Sequence, residues 1–320
     1  MDDTALAPIA IASGGLRAVL LRLGARLADL RAPSGRPIVL GYADPRDHLR
    51  RADLYCGAVI GRFANRIAWG RARVDGLPID LEVNAPPHHV HGGRAGFSDR
   101  VWTLERHEAD RAAFALDSPD GEGGYPGRLD ARATYAIGED ALTLTLEART
   151  DAPTLANLCH HPYFNLDGAA DAGGHRLRID AARYLPCDGD VLPTGEVAPV
   201  AGTAFDFRAE RAVAPMPPPG ANNTYCLSDD PWRPLALAAA LRAPGGPRLE
   251  VWTTQPGLHL YDGYRLVDHE GGLDGRRHGP RAGICLEAQG WPDSPGNPHF
   301  PQAVLRPGQT YRQVTRYRLA

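Results

Sequence analysis

The segment Ala141-Leu142-Thr143-Leu144-Thr145-Leu146-Glu147-Ala148 alternates apolar and polar side chains with a period of two, which puts three leucines on one face. That spacing predicts a strand with one dry face and one wet face. Arg128–Ile137 precedes it across the turn residues Gly138-Glu139-Asp140, so 128–148 is predicted to be a β-hairpin. Arg248–Thr254 predicts a further strand, entered through Pro244-Gly245-Gly246-Pro247, and two more are expected around 17–23 and 28–31. Pro234–Arg242 has the composition of a helix, since Ala and Leu lead the helix-propensity scale. Its position just before a double-Pro, double-Gly turn and a strand favours instead the first arm of a hairpin.

No strand–helix–strand alternation recurs, and no glycine-rich fingerprint opens a helix, which argues against a doubly wound nucleotide-binding fold. There is no internal repeat, and the short Pro215–Gly220 run reads as a rigid loop rather than a linker. The pattern therefore predicts an all-β fold, a large antiparallel β-sandwich with few short helices, as a single domain over 1–320.

Composition sharpens this picture in a few places. The 36 Gly and 29 Pro make up about a fifth of the 320 residues, against an ordinary share of roughly 12%, and their even spread implies many turns. All 35 basic residues are Arg, which is read as compositional bias rather than function. Net charge is −3 with both signs interspersed, and no basic stripe with interleaved aromatics marks a nucleic-acid partner. No apolar run approaches the ~20 residues of a membrane helix, and the acidic start Met1-Asp2-Asp3-Thr4 lacks the form of a secretory signal. Five scattered cysteines without a CxxC pair are expected to be reduced thiols, in keeping with a cytoplasmic location.

Five segments place polar side chains among glycine and aromatics. In Gly61-Arg62-Phe63-Ala64-Asn65-Arg66-Ile67, Asn65 and Arg66 offer an amide and a fork of donors suited to vicinal hydroxyls. His88-His89-Val90-His91-Gly92-Gly93 invites a zinc reading, but no Cys or Glu at ligand spacing completes a tetrahedral set. His91, neutral and held by a glycine turn, is expected to donate to a hydroxyl instead, and no metal is expected. Cys159-His160-His161-Pro162-Tyr163-Phe164 holds two imidazoles, with Cys159 expected to be a small buried residue. Thr254-Gln255-Pro256-Gly257 brings an amide into a glycine-bearing bend. Finally, Glu287 lies between Leu286 and Ala288, and a carboxylate in such company is rarely buried unless it is paired or working.

The order of these five segments, continued by Trp291-Pro292-Asp293 and Leu305-Arg306-Pro307-Gly308, resembles the aldose 1-epimerases, also called galactose mutarotases, over essentially the whole chain. The resemblance implies a galactose-mutarotase-like supersandwich with an open sugar cleft and no cofactor. It implies Glu287 as general base and His161 as general acid, with Asn65, Arg66, His91 and Gln255 holding sugar hydroxyls. The partner implied is a small-molecule aldose, with the enzyme a monomer or homodimer. One position departs from the family pattern, where an Asp usually bonds the sugar: the matching run here is Asn222-Asn223-Thr224-Tyr225. Asn222 would exchange a charged acceptor for an amide with a donor end.

The chemistry implied is ring opening and reclosure of a hemiacetal, with one proton taken from the C1 hydroxyl and one given to the ring oxygen. Glu287 is expected to be ionised at neutral pH and to favour an imidazolium at His161. Alternatives are a hexose-6-phosphate 1-epimerase, which needs a cationic phosphate nest, and a non-catalytic sugar-binding sandwich. A glycoside hydrolase would need a second carboxylate flanking the bond, and none lies in a matching motif.

Overall fold

The computed structural model describes residues 3–218 and 220–320; Met1, Asp2 and Pro219, the last within the run expected to be a rigid loop, lie outside the described residues. The predicted hairpin forms: Leu129–Ile137 pairs antiparallel with Ala141–Thr150, from Leu129 opposite Thr150 to Ile137 opposite Leu142. Leu142, Leu144 and Leu146 are buried while Thr143 and Thr145 stay half-buried, as the alternation requires. Leu16–Leu21 and Arg26–Arg31 also pair antiparallel, with Ile9–Ser13 as a third strand.

The hairpin belongs to a nine-stranded antiparallel sheet that also contains Tyr311–Leu319, Arg248–Thr253 and Ala236–Arg242. Ala236–Arg242 is a strand despite its helix-like composition. It lies between Arg176–Ile179 and Arg248–Thr253, and Ala238 to Leu241 are all buried there. Hydrogen bonding on both edges and small side chains that fit between layers outweigh a propensity difference of a few tenths of a kcal/mol per residue.

A second sheet has six strands, labelled here in chain order: β1 (Tyr163–Phe164), β2 (Arg183–Leu185), β3 (Ala198–Pro199), β4 (Asn222–Cys226), β5 (Gly257–Tyr261) and β6 (Ile284–Gln289). They lie side by side as β1-β6-β5-β4-β2-β3, all antiparallel. Leu258, Leu260, Ile284, Leu286 and Ala288 from this sheet join Leu142, Leu144, Leu146, Leu249 and Val251 from the nine-stranded sheet in one buried apolar cluster. Two sheets sharing one core make the predicted sandwich, each large core side chain contributing about 1.5–3 kcal/mol by burial. Among the described residues the one α-helix is Asp47–Arg50, and no helix is long and apolar enough to cross a membrane.

Candidate active site

Alternation along β6 decides what faces outward. Ile284, Leu286 and Ala288 point into the core, so Cys285, Glu287 and Gln289 occupy the opposite face. Side chains at directly opposed positions of antiparallel strands share a face, and the register therefore builds two rows. One row runs Glu287, His259, Thr224 across β6, β5 and β4. The other runs Tyr163, Cys285, Tyr261, Asn222 across β1, β6, β5 and β4. Above them lies a cleft of about 240 Å³.

His161 reaches this cleft from the short strand Cys159–His160, which pairs with Val59–Ile60. Its main chain is clamped on both sides: its N–H donates to the Ala58 carbonyl at 3.0 Å, and its carbonyl accepts from the Gly57 N–H at 2.8 Å. His160 turns the other way, with Nδ1 3.0 Å from the Tyr317 hydroxyl inside the core. His161 Nε2 lies 3.4 Å from Glu287 Oε1, at the floor of the cleft. Cys159 is buried as expected, yet its thiol is also placed against the carboxylate, 3.7 Å from Glu287 Oε2.

The walls come from the Asn65 and His91 turns, both in left-handed backbone conformation. The Asn65 N–H donates to His91 Nδ1 at 3.1 Å, so the neutral His91 ring must carry its proton on Nε2. Gly92 permits this approach, because a Cβ there would fall 1.8 Å from the Gly61 carbonyl oxygen. Arg66 also lines the cleft and forms no ion pair among the described residues, leaving its donors available.

Electrostatics at the floor departs from expectation. Glu287 is 1% exposed and His161 5%. Burial pushes the Glu287 carboxyl up to about 8 and the His161 imidazole down to about 4. Both shifts favour the uncharged form, a carboxylic acid beside a neutral ring, against the expected ion pair. The number of protons is the same in both descriptions. They differ by one transfer across the 3.4 Å gap.

A family model described as aldose 1-epimerase matches residues 9–318. The chain belongs to the aldose 1-epimerase family. It is 39% identical over 289 residues to the galactose mutarotase of Homo sapiens, covering 88% of this chain and 84% of that protein. It is 35% identical over 333 residues to the aldose 1-epimerase of Escherichia coli strain K12, covering 95% and 92%. Among solved structures, an aldose epimerase homologue from C. elegans superimposes with a TM-score of 0.90 at 28% identity, covering 98% of each chain. Galactose 1-epimerase from Lactobacillus acidophilus NCFM gives 0.84 at 28% identity, covering 97% of this chain and 92% of that one.

In this epimerase-family cleft the structure gathers Glu287, His161, Asn65, Arg66, His91 and Asn222. Gln255 is not among them, which corrects its expected position at the sugar. It is buried in a separate small recess beside Trp232 and Tyr311, because the bend at Pro256 turns it away before β5 begins. Within the same motif, His259 takes the place on the cleft face. Its Nδ1 accepts from the Thr224 hydroxyl at 2.9 Å and faces the Asn65 amide nitrogen at 3.4 Å. Its Nε2–H therefore donates to Asn222 Oδ1 at 2.8 Å. Burial pushes this imidazole down to about 3, so it stays neutral. The Asn222 carbonyl is thereby occupied, and its NH₂ is the free end.

Tyr55, Tyr261 and Arg265 also line the cleft and were not anticipated as site residues. Tyr261 was readable in principle, lying two residues after His259 and hence on its face. Tyr55 and Arg265 lie in turns, where no periodicity reports direction. The three histidines of 88–91 do not converge: His88 packs against Trp69, His89 bonds the Tyr125 hydroxyl at 2.6 Å, and His91 alone enters the cleft. Donor atoms of His161, Cys285 and Glu287 instead lie within 4.8 Å of one another.

Proposed function

We propose that this enzyme interconverts the α and β anomers of a free aldose, with Glu287 and His161 as its proton carriers. The 3.4 Å approach of a buried carboxyl and imidazole at the cleft floor is the observation that supports this reading most. The hydroxyl and ring oxygens at C1 share one carbon, so two neighbouring groups can each hold one of them. In the ionised pair Glu287 removes the C1 hydroxyl proton, the C1–ring oxygen bond breaks, and His161 gives its proton to the ring oxygen. The pair then stands as carboxylic acid and neutral imidazole, the forms that burial favours. The aldehyde turns about C1–C2 and the steps reverse, so no proton is gained or lost overall. Asn65, Arg66, His91 and Asn222 would hold the remaining hydroxyls, with His91 Nε2–H and the Asn222 NH₂ as donors.

A phosphorylated aldose is a second reading, favoured by one observation: Arg66 and Arg265 both line the cleft, and neither forms an ion pair among the described residues. Polarimetry on freshly dissolved glucose, galactose and glucose 6-phosphate tests both. Exchange of free sugars that is lost in Glu287→Gln is the expected result. Exchange of the 6-phosphate alone favours the second reading, and a rate untouched by Glu287→Gln overturns both. Asn222→Asp, which restores a charged acceptor beside His259, is expected to change the order of preference among the sugars.

A further inference from the structure

We propose that His161, Cys285 and Glu287 form a binding site for a soft or borderline divalent cation of the zinc class, whose occupation arrests the enzyme. The inhibitory half rests on the reading of Glu287 and His161 given above; the binding half does not.

Cys285 and Glu287 share the outward face of β6 because they are two residues apart. His161 meets both: Nε2 is 3.4 Å from Glu287 Oε1, and Nδ1 is 3.6 Å from Cys285 Sγ. Those two contacts use different nitrogens of one ring, and a metal ion takes only one of them, so the geometry is judged with one donor per residue: tetrahedral zinc, with bonds of about 2.0–2.3 Å, sets its ligand atoms roughly 3.3–3.7 Å apart. One donor from each of the three residues already lies within 4.8 Å of the others, so about 1 Å of side-chain movement completes the set. The cleft supplies the entry path, and a water can occupy a fourth position.

Charge balance explains why a buried site accepts the ion. The carboxyl–imidazole pair holds one proton and the Cys285 thiol another. Metal binding releases both, leaving a dication on one carboxylate, one thiolate and one neutral imidazole. Two positive charges enter and two leave, so the site remains neutral. The thiolate selects against magnesium and calcium, which take oxygen ligands. The bound ion takes up the lone pairs that the proton transfers need.

Cadmium titration of the purified chain, read by the thiolate-to-cadmium ultraviolet band, tests the site directly. One equivalent is expected to saturate the band. Cys285→Ser should abolish it, Glu287→Gln should weaken binding at least ~10-fold, and Cys187→Ser, a half-buried thiol elsewhere, should leave it intact. Zinc should block anomer exchange in step with occupancy, EDTA should restore it, and magnesium should do neither. Persistence of the band in Cys285→Ser overturns the site. An unchanged exchange rate at saturating zinc overturns the inhibition. If Cys285→Ser does not fold, equal cadmium affinity in wild type, Glu287→Gln and His161→Gln overturns the proposal. A chain that binds cadmium but exchanges no sugar refutes the functional reading alone.

Discussion

The two faces of the β1–β6 sheet are made by the same strands and follow opposite rules. On the inner face Ile284, Leu286, Ala288, Leu258 and Leu260 are dry and apolar, and each stabilises the sandwich. On the outer face Glu287, Cys285 and His259 are almost as deeply buried, but they are titratable, and burial displaces each from its ordinary behaviour. A single strand therefore contributes stability through even positions and chemistry through odd ones. The lesson is that burial alone does not separate core from site; the polarity of what is buried does.

The sharpest way to break this contrast is Glu287→Gln. Turnover is expected to fall by at least ~10², measured by polarimetry under first-order conditions. The same substitution should stabilise the fold. The folded chain keeps the Glu287 proton up to about pH 8, whereas the unfolded chain loses it in the ordinary carboxylate range. This group therefore withdraws stability as pH rises through that interval, so the gain in Tm from Gln should be larger at pH 9 than at pH 6. A loss of Tm at pH 9 would contradict the assignment of Glu287 to a working face.

Next in size is the neighbouring Leu286→Ala, which should cost about 2–5 kcal/mol of unfolding free energy by chemical denaturation. The folded fraction should keep kcat within about tenfold, since the side chain faces away from the sugar.

The pH dependence of kcat/KM sharpens the pair itself. The active form holds one proton, so activity should decline below about pH 4, where His161 gains a second, and above about pH 8, where Glu287 loses its own. A flat profile between pH 5 and 9 would remove Glu287 from the relay. The smallest effect is expected at Gln255, which lies outside the cleft: Gln255→Ala should change KM by less than about twofold, against a clear shift for Asn222→Asp.

Much of this was legible in the chain. The Ala141–Ala148 alternation gave the correct face for each leucine because period two is a local property. Strand pairing for Ala236–Arg242 could be inferred only from its flanking turn, since small apolar residues fit either conformation. The motifs located Glu287, His161, Asn65, Arg66, His91 and Asn222, all of which line one cleft. Gln255 was expected at the site and His259 was not, because their segment bends at Pro256 and only the register of β5 against β6 reveals that His259 lies opposite Glu287. The directions in which burial shifts the pair were not legible, because burial depth comes from elements far apart in sequence. Glu287 is covered by Cys159 and His161 from more than a hundred residues upstream.

The cross-strand row Glu287–His259–Thr224 has one more consequence. A slip of β6 by a single residue would put the carboxyl in the oil and Leu286 over the sugar. No partly correct pairing of these strands can assemble the cleft while leaving the core intact. Sugar turnover is therefore a quality-control readout for the whole sheet: every molecule that works has counted its residues correctly.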